Sequence, residues 1–538
     1  MPEADAIANR NRSSISFSWR AALPSATQAA LAVASAILTI LSFPDFNLSF
    51  LAWAGLVPLF VAVVQARTAR RAFLLGWLYG TIFFYGTCWW LTYPIIHYAN
   101  FSAWMAYPLL LIPIILVALF PAVFCSLFAR LVQSFGPAAI CVAPLIWISI
   151  EWLRYSVTGQ LWNAFGYSQA FHPALIQSAR WGGVYAVSFL LVLGNAAVAY
   201  ALLRRGFILP IACLVIVIIV IITSARLLTP KNQAMPMFNP ATQTLLIAVQ
   251  PNVPMDLNGD PRQMDQLLER HLALSNKALT EAGHQSKASS RLVVWPESPM
   301  NFSYTRDPKL REVVANFART NRTAVLLNSL EPARDGGDQN SAILVNEEGG
   351  IAARYDKIRL MPFGEYVPLP RWLPGASSVR GLVGEFKPGN SYTLMPLGAF
   401  RAGVFICIEA AHPAIARTFA HEGADVLINI SNDGYLGPTA VMRQHLSNAI
   451  FRAVENNRDV VRVTNTGITA YISSNGWAGD ETNGFQAEVR TWTISRKNTE
   501  ATFYTRHGDV FVYGCALINL GIISASFMRR RMVLEAGT

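Results

Sequence analysis

The sequence predicts an α/β domain carried on a multi-pass helical membrane anchor. Three observations lead there. Hydrophobic residues make up 53% of the 538 and charged residues only 14%. With a mean hydropathy of +0.34, that balance belongs to integral membrane proteins. Long apolar segments fill residues 26–225 and recur near 510–528. Between them, residues 240–500 have an ordinary mixed composition in which strand-like and helix-like runs alternate. The expected organisation is therefore a membrane domain over 1–230, a catalytic domain over 240–500 and a last membrane helix over 508–530.

The apolar segments lie near 26–43, 49–66, 72–92, 103–129, 137–153, 182–203, 207–225 and 510–528. Each is near the roughly 20 residues that cross a bilayer, so eight transmembrane helices are expected. The first follows Arg10, Arg12 and Arg20, as a signal peptide would. It is long enough to span, however, and no clear A-x-A cleavage site follows, so it reads as a retained helix. Its Gln28, and Pro144 and Glu151 in the fifth, make these two the weakest spans. Arg154 stands where it could pair with Glu151. Trp162, Phe165, Tyr167 and Phe171 then mark an interfacial stretch or a lipid entry path.

Basic residues give the orientation. Arg10, Arg12, Arg20, Arg67, Arg70, Arg71, Arg130, Arg204, Arg205 and Arg529 to Arg531 all fall on one side if all eight segments span. The positive-inside rule makes that side cytoplasmic and puts the catalytic domain on the outer face, the periplasm of a diderm bacterium. The formal net charge of +11 then reads as topogenic charge, with no nucleic-acid partner implied.

In the soluble stretch, residues 244–250, 291–295, 323–327, 402–406, 426–430, 460–464 and 468–472 read as strands. Residues 263–282, 308–319 and 442–456 read as helices, with Asp307 as N-cap and Pro308 at the first helical position of the second. Residues 231–240, with three prolines nearby, read as a linker.

Six cysteines without a CxxC or pairing pattern point to neither a disulfide framework nor a zinc site. Cys407 alone lies outside an apolar segment. It ends a strand, as Glu297 does in Trp295-Pro296-Glu297-Ser298 and Lys357 does in Tyr355-Asp356-Lys357. A thiol is a good acyl nucleophile once it loses its proton. A carboxylate can take that proton, and a lysine lowers the thiol pKa and stabilises an oxyanion. A buried cysteine is often only a small hydrophobe; the two matched partners tip the reading toward catalysis.

The trio resembles the Glu-Lys-Cys triad of the nitrilase, or carbon–nitrogen hydrolase, superfamily. Further motifs resemble the apolipoprotein N-acyltransferase family: Val249-Gln250-Pro251-Asn252, Asn340-Ser341, the block from Tyr355 to Pro368, Ile406-Cys407-Ile408-Glu409 and Ser431-Asn432-Asp433. The resemblance covers nearly the whole chain, and the Lys357–Pro368 block is its most specific part. It implies an αββα sandwich, with Glu297 as general base, Lys357 as oxyanion stabiliser and Cys407 as nucleophile. Glu365 would position Lys357, Glu409 would support the nucleophile loop and Asn340 would hydrogen-bond in the site.

Three departures stand out. Ile408 replaces a common Tyr, Gly434-Tyr435-Leu436 replaces Ala-Trp-Phe, and Asn258-Gly259 lies where a Trp is common. Tyr435 and Leu436 could still line a lipid pocket. The implied activity moves an acyl chain from a phospholipid to the α-amino group of a lipoprotein's diacylglyceryl-cysteine. It needs no metal or organic cofactor and runs in a monomer in the bacterial inner membrane. The alternatives are a membrane-anchored carbon–nitrogen hydrolase that passes the acyl group to water, or a non-enzymatic protein with a degenerate domain. A transporter fits least, because the ionisable residues gather outside the membrane segments.

Overall fold

The computed structural model describes residues 23–204, 206–228, 243–255, 261–283, 288–368, 372, 385–496 and 500–536. The 231–240 linker, Asn258-Gly259, and Arg10, Arg12, Arg20 and Arg205 lie outside the described residues.

Among the described residues, six helical stretches are long and apolar enough to cross a membrane: Ala69–His97, Ala103–Phe135, Pro137–Thr158, Ala179–Arg204, Ile208–Ala225 and Val510–Arg529. The first two expected spans differ. Ala26–Ser42 and Ser49–Val64 are apolar helices shorter than a full crossing. Gln28 proves to be a capping residue. Its side chain accepts from the Ser25 N–H at 3.0 Å while Ser25 Oγ accepts from the Gln28 N–H at 3.3 Å, which satisfies two orphan donors of the first turn.

The 243–496 region forms two six-stranded mixed sheets. The strands are β1 (Gln243–Gln250), β2 (Ser290–Val294), β3 (Ala324–Pro332), β4 (Asp338–Val345), β5 (Ile351–Asp356), β6 (Leu394–Leu397), β7 (Phe400–Ile406), β8 (Val426–Ser431), β9 (Asp459–Thr464), β10 (Ala470–Ile472), β11 (Ala478–Gly479) and β12 (Glu488–Ser495). The first sheet runs β12-β1-β2-β3-β4-β5 and the second β11-β10-β9-β8-β7-β6. β1, β2 and β3 are parallel, as are β7, β8 and β9. These central strands are buried on both faces, which is why their sequences read as unbroken apolar runs.

Alternation sorts the first sheet's side chains. Leu246, Ala248, Leu292, Val294, Leu326 and Leu344 join the core that the second sheet's Val404, Ile428 and Val461 also enter. Ile247, Val249, Val293, Val325 and Ile343 instead meet the helices Pro261–Gly283 and Pro308–Asn321 in a separate cluster. A strand's period of two produces that division. Asp307 caps the second of these helices by accepting from the Lys309 and Leu310 N–H groups.

The helix Val441–Asn456 joins the two parts of the molecule. Every residue in it except Met442 and Arg443 is buried, although half of its residues are polar. It contacts β9 on one side and the Ala179–Arg204 helix on the other. Gln444 donates to the carbonyls of Pro44 and Thr87 and accepts from the indoles of Trp90 and Trp162. Trp162 to Tyr167 therefore belongs to this joint and does not form an interfacial belt: Phe165 and Tyr167 are buried, and Tyr167 meets Phe451 edge-on. The expected Glu151–Arg154 pair is replaced by other bonds. Glu151 accepts from the Trp147 indole and the Phe165 N–H, and Arg154 donates to the carbonyls of Gln160 and Trp162.

Candidate active site

β5 is antiparallel to β4, and β4 to β3, so β5 runs parallel to β2 and β3. The residues that follow β2 and β5 therefore emerge at one edge of the first sheet. They are Glu297 and Lys357. Cys407 and Asn432 follow β7 and β8 of the second sheet. The cleft between the two edges collects all four.

Lys357 is buried, and its ammonium reaches Glu365 Oε1 at 2.9 Å and Glu297 Oε1 at 3.4 Å. Burial alone would lower the Lys357 pKa, but the Glu297 and Glu365 charges outweigh it and hold the pKa above the usual lysine value. Lys357 is thus a fixed cation. Asn340 completes the cluster, donating to Glu297 Oε1 at 2.9 Å and Glu365 Oε1 at 2.7 Å. Its orientation is set by Asn328, whose amide donates to Asn340 Oδ1 at 2.6 Å. Glu365 Oε2 accepts from the Met361 N–H at 2.7 Å, and Glu297 Oε2 from the Asn432 N–H at 3.1 Å.

Cys407 is half-buried and adopts a φ of 52°. That left-handed conformation costs a non-glycine residue on the order of 1–3 kcal/mol and persists only where neighbours over-determine it. Desolvation pushes the thiol pKa up, Glu297 adds to the rise, and Lys357 opposes it. The resting thiol is therefore protonated. Glu409 binds the turn from below. Its Oε2 accepts from the Ile406 N–H at 2.8 Å, and its Oε1 accepts from the Tyr355 hydroxyl at 2.8 Å and the Ile358 and Arg359 N–H groups at 2.8 and 3.1 Å. One carboxylate thus connects the strand end carrying Lys357 to the one carrying Cys407. Burial is the largest influence on its pKa, which lies above the usual value despite these donors.

Glu297, Lys357, Asn340, Glu365, Glu409 and Cys407 are thus brought together. Tyr435 and Leu436 lie one loop away, facing the membrane helices. Tyr435 stacks on Tyr98 with ring centroids 5.1 Å apart, and Leu436 packs against the cluster of Trp90, Ala440 and Val441. Sequence reasoning missed Asn328 and His445. His445 lies on the Val441–Asn456 helix, with Nε2 2.9 Å from the Cys407 carbonyl oxygen and Nδ1 2.9 Å from Asp433 Oδ1. Asn328 had one available signal, a polar residue directly after the apolar run Ala324–Leu327 in a buried strand. His445 had none beyond its type. Among the described residues no group of three or more His, Cys, Asp or Glu side chains is arranged to hold a metal ion.

Comparison with known proteins agrees with this architecture. Residues 35–197 match the family model of the apolipoprotein N-acyltransferase N-terminal domain, and residues 248–504 match that of the carbon-nitrogen hydrolases. An apolipoprotein N-acyltransferase of Geobacter metallireducens is 32% identical over 518 residues, 94% of this chain and 96% of that protein. One of Allorhizobium ampelinum is 32% identical over 501 residues, 89% and 90% of the two chains. An amidase from Nesterenkonia sp. aligns with 51% of this chain and 95% of its own, at a TM-score of 0.36 and 17% identity. With relatives matching along nearly its full length, the chain belongs to the apolipoprotein N-acyltransferase family.

Proposed function

We propose that the protein transfers an acyl chain from a phospholipid to the α-amino group of an N-terminal diacylglyceryl-cysteine through a thioester on Cys407. The reading is carried by the junction of the two parts. The Glu297–Lys357–Cys407 cleft opens beside the 432–437 loop, and that loop packs on Tyr93, Trp90 and Tyr98 of the membrane region. Both substrates reside in a bilayer, so a cleft next to apolar helices suits them.

In the first half-reaction, Glu297 takes the Cys407 proton and the thiolate attacks the ester carbonyl carbon. Lys357 and the Ile408 N–H stabilise the oxyanion. The tetrahedral adduct collapses, the glycerol oxygen leaves with the proton from Glu297, and lysophospholipid departs. In the second, the acceptor amine attacks the thioester, Glu297 takes a proton from the amine, and the cysteine leaves to be reprotonated. An amide has then replaced the thioester, and the two steps form a ping-pong cycle. A raised thiol pKa makes the base necessary, and the Asn340 and Asn432 bonds hold Glu297 for that task.

Eight crossings with the catalytic domain on the periplasmic side complete the proposal, the two short N-terminal helices spanning where the bilayer thins around them. Their support is the one-sided arginine distribution. A periplasm-dependent reporter fused near Lys231 should be active, and one fused after Arg205 silent; the reverse would overturn the orientation. For the reaction, the purified enzyme with phospholipid and a diacylglyceryl peptide should give N-acylated peptide and lysophospholipid in equal amounts. Free fatty acid as the main product would indicate transfer to water and sink the acyltransfer reading.

A further inference from the structure

One polar chain in the molecule ends on the nucleophile's own backbone. It starts in the second sheet, where Arg462 of β9 lies opposite Asn429 of β8 and donates to it. Arg462 also clasps Asp433, with Nη2 2.8 Å from Oδ2 and 3.1 Å from Oδ1. Asp433 meets His445 Nδ1, and His445 Nε2 meets Cys407 O. All three of these side chains are buried.

A carbonyl oxygen can only accept, so the 2.9 Å contact requires a proton on Nε2. Burial raises the Asp433 pKa, but Arg462 and His445 overcome that and hold it well below the usual carboxylate value. Its ionised oxygen calls for a proton on Nδ1 as well. The two acceptors together fit an imidazolium, although burial and the Arg462 charge pull the ring toward neutrality. The indole ring of Trp162 covers the imidazole from the membrane side, 5.5 Å between centroids.

The peptide between Cys407 and Ile408 is planar, so its N–H points opposite to its C=O. Whatever fixes the Cys407 carbonyl also aims the Ile408 N–H. We propose that His445 is a positioning residue that aims the Ile408 N–H at the reacting carbonyl by holding Cys407 O in the left-handed turn. The bond also polarises the peptide and strengthens that N–H as a donor. This inference rests on the reading of Cys407 as the nucleophile. It explains how a cysteine with φ 52° is held: Glu409 fixes the Phe405–Ile406 peptide, one residue upstream, through the Ile406 N–H, and His445 fixes the peptide that follows the cysteine.

Two substitutions divide the role from ordinary packing. In His445→Gln the amide nitrogen stands close to the position of Nε2 and can still donate to Cys407 O. In His445→Asn the shorter amide can reach Asp433 only. Full-length enzyme is mixed with phospholipid alone, and the rate of acyl-adduct formation on Cys407, its dependence on phospholipid concentration and the Tm are measured. His445→Asn should acylate on the order of 10–100-fold more slowly at saturation with unchanged half-saturating phospholipid, since an ill-aimed group near the reaction centre costs up to about 10²-fold. His445→Gln should recover to within about threefold of wild type, while the two variants share a similar Tm. If both variants lose rate in step with Tm, or His445→Asn acylates like wild type, the positioning role is wrong and the nucleophile reading survives. A wild-type enzyme that transfers acyl chains without any adduct on Cys407 would overturn both.

Discussion

Replacing Glu409 with Gln alters one buried atom at the point where the site's two halves meet. The wild-type carboxylate accepts three bonds at Oε1 and one at Oε2. In Glu409→Gln the amide oxygen best serves the three donors, which turns the NH2 toward the Ile406 N–H. Two donors then face each other next to Cys407. A buried donor left without a partner costs about 1–3 kcal/mol, and loss of the negative charge weakens the three remaining bonds. The side chain itself is fully buried, so water offers no relief. The Phe405–Ile406 peptide, which carries that N–H, should turn away from the clash and shift the following Cys407 thiol out of line with Glu297. A displacement of about 1 Å can cost on the order of 10²-fold. Stopped-flow quench with mass detection of the Cys407 adduct should therefore give acylation 10–100-fold slower in Glu409→Gln, with the adduct still confined to Cys407. An acylation rate within about threefold of wild type would refute the claim that this carboxylate holds the nucleophile turn.

Three other outcomes are expected. His412 is buried with neither ring nitrogen hydrogen-bonded among the described residues; burial first, and then Arg359, Arg452 and Lys357, hold its pKa down at about 3. Its folded pKa lies below the unfolded value of about 6.5, so the unfolded state binds the extra proton and stability falls as pH drops from there toward 3. Between pH 7 and 5 the loss is about 2 kcal/mol, and denaturant titrations should show His412→Phe losing less by that amount; identical losses would discount the imidazole. Tyr435→Ala removes the stack on Tyr98 and should leave thioester formation intact while slowing transfer to a diacylglyceryl peptide by about 2–10-fold, the worth of an aromatic pair; a slower first step instead would assign that loop to the donor. Glu297→Gln should block thioester formation itself by about 10²–10⁴-fold, and wild-type acylation in that variant would remove Glu297 as the base.

Much of the site was legible because its chemistry follows buried strands. The apolar runs ending at Val294 and Ile406 advertise themselves; Cys407 comes directly after the second and Glu297 three residues after the first. β4, β6, β11 and β12 were not recognised, and β5 only as the strand end that carries Lys357. β5 and β12 lie at sheet edges with mixed burial, so neither makes a continuous apolar run, and β6 and β11 span only four and two residues. The helix Pro413–His421 was missed as well. The first two membrane segments lie almost where the apolar runs put them, at Ala26–Ser42 and Ser49–Val64, but both are short, and the second is a 3-10 turn over Ser49–Trp53 followed by an α-helix of only eight residues, Val57–Val64. His445, Gln444, Arg452 and Glu455 are polar residues that a helix would normally show to water. They are buried because membrane helices cover the catalytic domain there, a contact between segments some 280 residues apart that no local pattern encodes. Asn340 was legible only through the family motif; its two carboxylate bonds depend on the β3–β4 pairing that sets it beside Asn328.

The central claim is that Cys407 carries the acyl chain. Intact-protein mass spectrometry of the full-length enzyme incubated with phospholipid and no acceptor tests it most directly. The account predicts one acyl adduct per chain, mapped to Cys407, released by hydroxylamine and absent from Cys407→Ala. An adduct that persists in Cys407→Ala, or a wild-type protein that stays unmodified while it goes on to N-acylate an added lipopeptide, would contradict it.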